Sequence, residues 1–137
     1  MSKLAAVVLT VALALAPVSA TAACKLKNLK GDWVAYSTGI DADSANWSTC
    51  YLRINGRGKI TKSSCGDSDG TDPKLTNGSF KMPDKKLCSF TASFNFEGVK
   101  NVVEHGTLAE DKATGNGVGT FPGGIFIFSL TKVAAFP

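Results

Sequence analysis

Three aspartates surround a glycine in the segment DSDGTD, and this grouping could supply oxygen ligands to a hard cation. Asp67, Asp69 and Asp72 are therefore candidate ligands for calcium. The segment lacks the ligand spacing of an EF-hand loop and its terminal glutamate. Asp and Gly are also the residues that ordinary turns use, through bonds from side chain to backbone. A plain turn is thus the competing interpretation.

The single histidine, His105, directly follows Glu104. A histidine that an acid orients could act as a general base. Adjacent residues of a strand point to opposite faces, so we expect that Glu104 does not orient His105. No GxSxG turn accompanies the serines, and no cysteine pair has CxxC spacing. We therefore predict a protein that is not an enzyme and has no cofactor.

Four large polar or aromatic side chains could line the mouth of a ligand site, because Tyr, Trp and Arg contribute strongly to binding where they are exposed. These are Tyr36, Trp47, Tyr51 and Arg53. The competing interpretation is that they only cap the fold. Trp47 lies between two polar residues, in a segment that we predict to be a loop, and is the favoured ligand or partner residue of the four.

Five glycines near the end of the chain could suggest a phosphate cradle; they are Gly115, Gly117, Gly119, Gly123 and Gly124. No Lys-Ser or Lys-Thr follows them and no helix is predicted there. We expect these glycines to serve hairpin geometry and close packing.

The chain has 137 residues, so it is predicted to form one domain. A basic start at Lys3, an apolar stretch from Leu4 to Ala16 and the small residues VSATAA have the layout of a secretory signal peptide. The apolar stretch is shorter than the roughly 20 residues that a spanning helix needs. We predict a signal peptide over 1–22, cleaved after Ala22 or alternatively after Ala20, and a mature domain over 23–137 with no transmembrane segment.

The short start, poor in arginine, resembles bacterial signal peptides and predicts a periplasmic or secreted protein. Acylation of Cys24 is the alternative, although the preceding TAA lacks the usual leucine of a lipobox. Loss of Lys3 leaves fourteen basic residues against eleven acidic ones, a formal charge of +3. This charge is too small to predict a nucleic-acid partner.

All four cysteines lie beyond the predicted cleavage site, and an even number in an exported chain of this size indicates two disulfides. Three pairings are open. The local pattern favours Cys50 with Cys65, which flank a predicted hairpin, and therefore Cys24 with Cys88. Strict alternation would place Cys65 on the face opposite to Ile60, so this pairing needs a β-bulge.

Alternation of apolar and polar residues recurs from Leu29 onward, whereas no helical spacing does. In LCSFTASFNFE, one face carries Cys88, Phe90, Ala92, Phe94 and Phe96. About eight short strands joined mostly by tight turns are predicted, with longer polar loops at 39–46 and 66–73. This spacing is typical of an up-and-down antiparallel barrel, with a β-sandwich as the alternative.

The stretch CKLKNLKGDWVAY resembles the opening of calycin-type barrels, the lipocalin and avidin group, through the G-x-W of Gly31, Asp32 and Trp33. The resemblance implies a barrel in which the indole packs across one end. In vertebrate avidins a cysteine before this motif is bridged to a mid-barrel strand, which is similar to a Cys24–Cys88 pair. Biotin sites of that group use several later tryptophans, and this chain has none after Trp47. The resemblance therefore implies no particular ligand.

Two functions follow as predictions. The first is a non-enzymatic binding module that holds a small or apolar ligand at the open end of the barrel. The second is a protein-interaction or inhibitor module in which a loop, 39–47 or 66–73, docks onto an envelope or extracellular partner. A hollow interior favours the first function, and a packed interior favours the second.

Overall fold

A computed structural model describes residues 23–137; the predicted signal peptide lies outside them. One turn of 3-10 helix, Leu26–Leu29, precedes eight antiparallel strands. The strands are β1 (Gly31–Asp41), β2 (Ala45–Ile54), β3 (Ile60–Asp67), β4 (Leu75–Asp84), β5 (Ser89–Phe96), β6 (Val99–Leu108), β7 (Thr114–Phe121) and β8 (Gly124–Val133).

All eight strands belong to one curled sheet with the order β3-β2-β1-β8-β7-β6-β5-β4. Each strand pairs with its sequence neighbour except at β3 and β4, and β1 pairs with β8. The predicted all-β, up-and-down arrangement of eight strands is confirmed. The sandwich alternative is wrong, because a sandwich needs two sheets that pack face to face.

The two edge strands, β3 and β4, meet along a seam that is only partly closed. Among the described residues one isolated bridge, Lys59 with Ser79, joins the edges, and the Ser63 hydroxyl donates to the Leu75 carbonyl at 2.8 Å. The backbone of β4 is irregular here, since Asn77 has a φ of 54° and the register with β5 shifts beside it. A continuous ladder needs regular backbone on both edges, so the sheet forms a half-barrel rather than a fully closed one.

The predicted loop at 39–46 is largely strand, which corrects the sequence-based prediction. β1 continues to Asp41 and β2 begins at Ala45, so that Trp47 lies in a strand. The Asp41 carboxylate accepts the backbone N–H groups of Asp43 and Ser44, at 2.9 and 2.8 Å. This side chain organises a tight turn, and the polar composition that suggested a loop belongs to exposed strand ends.

One end of the barrel, called the closed end, contains the connections 55–59, 85–88 and 109–113 and is filled by side chains. Trp33 is fully buried there, together with Leu29, Ile54 and Phe90. The indole N–H of Trp33 donates to the Leu29 carbonyl at 2.7 Å, so its one polar group is satisfied. The short helix thus covers this end of the barrel.

Both disulfides join the predicted partners. Cys50 and Cys65 lie directly opposite each other on β2 and β3. The bulge that this pairing requires occurs where the register shifts between Arg53 and Ile54. The second bridge, Cys24–Cys88, ties the segment before β1 to the connection between β4 and β5.

Five phenylalanine rings form a continuous series along the interior. Their centroids are 5.6 Å apart for Phe80–Phe90 and 6.0 to 6.1 Å apart for Phe90–Phe128, Phe126–Phe128 and Phe94–Phe126. The series confirms that Phe90 and Phe94 of β5 turn inward, as alternation predicts.

The predicted packing role of the β7 glycines is also confirmed. A Cβ atom at Gly119 would overlap the Phe126 ring and the Val102 carbonyl, and a Cβ atom at Gly117 would overlap the His105 carbonyl. Gly115 and Gly119 are buried on the same inner face. No helix begins at these residues. Because the β7 glycines have no side chains, phenylalanine rings lie directly against this strand.

Gly119→Ala is expected to lower the free energy of unfolding by about 1–3 kcal/mol, because the added methyl group must displace a packed ring. Urea denaturation followed by circular dichroism measures this change.

The matched control is Gly66→Ala in β3, where a Cβ atom would meet nothing within 4 Å. We expect its effect to stay within about 0.5 kcal/mol. Equal destabilisation by both variants would contradict the packing role of β7.

Candidate functional site

A cavity of about 380 Å³ occupies the other end of the barrel, called the open end, where the connections 42–44, 68–74, 97–98 and 122–123 lie. Below Asp41 at the rim, the inner face of β1 contributes only small residues to the cavity, namely Ala35, Ser37 and Gly39. The apolar wall of the cavity consists of Leu52, Ile60, Leu75, Phe80, Phe94, Phe96, Val99, Val103, Phe121, Phe126, Phe128 and Leu130. The interior is therefore packed at one end and hollow at the other.

Few polar groups interrupt this apolar wall. The Ser37 and Ser48 hydroxyls hydrogen-bond to each other at 2.7 Å across β1 and β2. Asn101 of β6 is 9% exposed, and its Nδ2 donates to the Val99 carbonyl at 2.9 Å. Its Oδ1 accepts no hydrogen bond from residues 23–137. Every fully enclosed side-chain oxygen among those residues has a hydrogen-bond partner, so the unpaired Oδ1 of Asn101 is accessible. Because Asn101 lines the cavity, this oxygen borders it.

Carboxylates surround the entrance to the cavity, called the mouth. They are Asp41, Asp67, Asp69 and Glu97. Hydrogen bonds from the backbone of Asp43 and Ser44 lower the pKa of Asp41 from its ordinary value. The Thr71 hydroxyl and its N–H lower the pKa of Asp67 in the same way. Both groups are therefore anionic at neutral pH.

The predicted calcium ligands do not converge. Asp67 accepts hydrogen bonds from the backbone N–H groups of Asp69 and Thr71 and from the Thr71 hydroxyl, which is how a turn uses an aspartate. In the part of the chain that the structure describes, no three His, Cys, Asp or Glu side chains are placed to hold a metal ion. Asp72 does not line the cavity.

Three of the four predicted ligand residues lie away from the cavity. Tyr36 and Tyr51 belong to the outer face of β1 and β2, because residues at these positions alternate with the inward Ala35 and Cys50. Arg53 forms an ion pair with Asp32, at 2.7 Å, on the same outer face. Trp47 shares the outer alternation of Tyr51, but near the end of β2 it also contributes to the lining of the cavity at the mouth, and it is 55% exposed.

The outer surface of β2, β1, β8 and β7 carries a group of exposed apolar side chains, called the apolar outer face. Cross-strand pairs place Trp47 beside Thr38, Thr38 beside Ile127, and Ile127 beside Val118. The group consists of Tyr36, Ile40, Trp47, Val118, Ile125 and Ile127. An exposed apolar patch of this kind is unusual on a monomer and is typical of interaction surfaces.

His105 and Glu104 are both exposed, which corrects the expectation that they point to opposite faces. The register between β6 and β7 shifts between Val103 and His105, and such a bulge interrupts alternation. Glu104 accepts a hydrogen bond from the Thr120 hydroxyl at 2.9 Å. Neither residue lines the cavity.

Glu97 and Asn101 are site residues that the sequence interpretation missed. Glu97 and Gly98 form the two-residue turn after β5, with φ values of 51° and 77°. Glu97 therefore comes directly after the inward series of phenylalanines. Asn101 lies between Val99 and Val103 in the inward register of β6, so an amide on an apolar face was the available signal.

Comparison of this chain with protein-family models, curated proteins and solved structures finds no match in any of the three. The residues of the chain itself therefore carry the functional argument. No helix within residues 23–137 has the length and apolar character to cross a membrane.

Asp67→Ala is expected to loosen the connection 68–74, because three hydrogen bonds lose their acceptor. Faster exchange of the Asp69 and Thr71 amide hydrogens, measured by NMR at neutral pH, reports the change. In the parent protein the same bonds weaken only in acid. The pKa of folded Asp67 lies below its ordinary 3.8, so its stabilising contribution is complete above 3.8 and is lost as the pH falls through the lower, folded value.

Asp72→Ala is the control for this change, since Asp72 lies in the same connection and does not contribute to the carboxylate network of Asp67. We expect the Asp69 and Thr71 amide hydrogens to exchange at the same rate in Asp72→Ala as in the parent protein. Unchanged exchange in Asp67→Ala would refute the role of the carboxylate.

Proposed function

We propose that this protein is an exported, non-enzymatic carrier that binds a small apolar molecule inside its barrel. The observation that carries the proposal is the cavity of about 380 Å³ at the open end. Ligand sites in proteins span roughly 300–1,000 Å³ and combine mostly apolar walls with a few polar groups. The cavity fits both descriptions.

The distribution of packed and empty space supports this proposal. Trp33, Leu29 and Phe90 are fully buried at the closed end, so the way in for a ligand is the mouth at the opposite end. The β7 glycines let Phe126 and Phe128 lie against the wall, and space remains in front of the rings. Burial of apolar surface by a ligand in such a space contributes a favourable free energy of about 25 cal/mol per Å².

Export belongs to the same proposal. Two disulfides form and persist in oxidising compartments, and both involve cysteines of the described domain. The start of the sequence has the layout of a signal peptide. The compartment that we propose is the periplasm or the space outside the cell.

Mass spectrometry of the protein recovered from its producing cell tests export. We expect a chain that begins at Ala23 and is lighter by four hydrogens, one pair for each disulfide. A chain that begins at Thr21 would support the alternative cleavage site, after Ala20. Recovery of the uncleaved chain with free thiols would overturn this part of the proposal.

A protein-interaction role is the second candidate, and the apolar outer face favours it. Its centre is Thr38, with Trp47 and Ile127 on either side. The predicted docking loop at 39–47 is mostly strand, so a partner would meet a sheet surface there instead. The two candidates use opposite sides of the same strands and are therefore separable by substitution.

Ala35→Phe is expected to weaken the binding of a neutral apolar fluorophore, N-phenylnaphthylamine, by at least about tenfold, or about 1.4 kcal/mol. Ala35 lines the cavity, so the added ring occupies the space that the ligand needs. Fluorescence titration measures the affinity, and circular dichroism checks that the variant folds.

Thr38→Phe is the matched control, because it adds the same ring to the same strand on the apolar outer face. Its affinity for the fluorophore should equal that of the parent. Loss of binding in Thr38→Phe and not in Ala35→Phe would place the ligand outside the barrel and overturn the proposal.

A further inference from the structure

We infer that the ligand is a cationic amphiphile, an apolar chain that ends in a protonated amine, with the chain in the cavity and the amine at the mouth. This inference rests on the proposed function and names the chemical class of the ligand. Three observations carry it: the charge of the mouth, the amide oxygen inside it, and the separation of charge along the barrel.

The carboxylates at the mouth have no cationic partner among residues 23–137. Asp41, Asp67, Asp69 and Glu97 line the entrance. Within the described residues the one side-chain ion pair is Arg53 with Asp32, on the outer face near the closed end. Lys74 is the one basic residue in the four connections of the open end. Several uncompensated negative charges beside an apolar space attract a cation and disfavour an anion.

The amide of Asn101 is the independent sign of a ligand donor. This side chain is nine-tenths buried, and its Oδ1 faces the cavity without a hydrogen-bond partner among residues 23–137. This oxygen is accessible from the cavity and not enclosed, so it is available to pair with a ligand that carries an N–H donor. Asn101 is two residues from Val99 at the rim, a depth of roughly 7 Å along the strand. The site therefore offers hydrogen-bond acceptors at two levels, the rim carboxylates and the amide oxygen below them.

Charge is also separated along the barrel axis. The open end carries six acidic residues: Asp41, Asp43, Asp67, Asp69, Asp72 and Glu97. The closed end and its short helix carry eight basic residues, against four acidic ones, Asp32, Asp84, Glu110 and Asp111. The basic residues are Lys25, Lys27, Lys30, Arg57, Lys59, Lys85, Lys86 and Lys112. The resulting field draws a cationic group toward the mouth and repels it from the opposite end.

Three ligands with the same decyl chain and different head groups test the inference: decylammonium, decanol and decyl sulfate, each below its micelle concentration. Displacement of N-phenylnaphthylamine from the parent protein gives the three affinities. We expect decylammonium to bind about tenfold more tightly than decanol at low ionic strength, and decyl sulfate to bind most weakly. The advantage of decylammonium should shrink in about 0.5 M salt, because salt screens exposed charges.

Asp69→Asn identifies the mouth as the source of this preference. The Asp69 side chain lines the cavity and is exposed, so neutralising it leaves the fold intact. We expect decylammonium to bind about threefold more weakly and decanol to bind equally well. Asp43→Asn is the matched control: it removes the same charge from the same end, at a residue that does not line the cavity. Its affinities should match those of the parent.

The outcomes separate the two proposals. If neither the fluorophore nor any decyl ligand binds, the proposed function and this inference both fail. If decanol binds as tightly as decylammonium, or decyl sulfate binds more tightly, the cavity is a ligand site and the cationic class is wrong. If Asp43→Asn weakens decylammonium as much as Asp69→Asn does, the mouth is not the source of the preference, and the inference is overturned.

Discussion

Contact between phenylalanine rings and a glycine wall organises the whole interior of this barrel. Phe126 and Phe128 lie against Gly117 and Gly119 of β7, where any side chain would overlap the rings or a neighbouring carbonyl. Ring contacts then extend to Phe90 and Phe80 at one side and to Phe94 at the other. A wall without side chains leaves room in front of β7 for the rings of β5 and β8 to meet. Packing density at the closed end and empty space at the open end follow from this one arrangement.

Polar groups are placed where that arrangement leaves room for them. At the closed end the buried indole N–H of Trp33 has a carbonyl partner, so it needs no ligand to satisfy it. At the open end Asn101 retains a free acceptor, and ionised carboxylates stand around the rim. In the function that we propose, the apolar interior selects a ligand by shape and the anionic rim selects it by charge, at two separate depths. Because the carboxylates of Asp41 and Asp67 also hold the turns that carry them, the charge of the rim and its geometry depend on the same groups.

Alternation in the sequence was sufficient to predict the strand number, the up-and-down order and the inward face of β5, because one side of each strand must be buried. The disulfide pairing was also accessible, since the mismatch between Cys65 and Ile60 pointed to a bulge that β2 and β3 contain. Alternation failed at His105 for the same physical reason: one extra residue in β6 keeps Glu104 and His105 on one face. Polar composition misled at 39–46, where the strands extend into solvent and Trp47 belongs to β2. Whether the barrel is hollow depends on residues distant in sequence, such as Phe94 with Phe126, and no local pattern contains that information.

The seam between β3 and β4 is the part of the described barrel wall that no continuous strand ladder closes. The Cys24–Cys88 bond and the short helix run across the closed end, whereas the Cys50–Cys65 bond lies between β2 and β3, so neither bond crosses the seam near the rim. The isolated bridge between Lys59 and Ser79 joins the two edges toward the closed end. At the rim the connection 68–74 joins β3 to β4, so the seam is bounded at both ends, and the Ser63–Leu75 hydrogen bond crosses it between them. Separating the two edges between these points breaks one side-chain hydrogen bond and no ladder of paired strands.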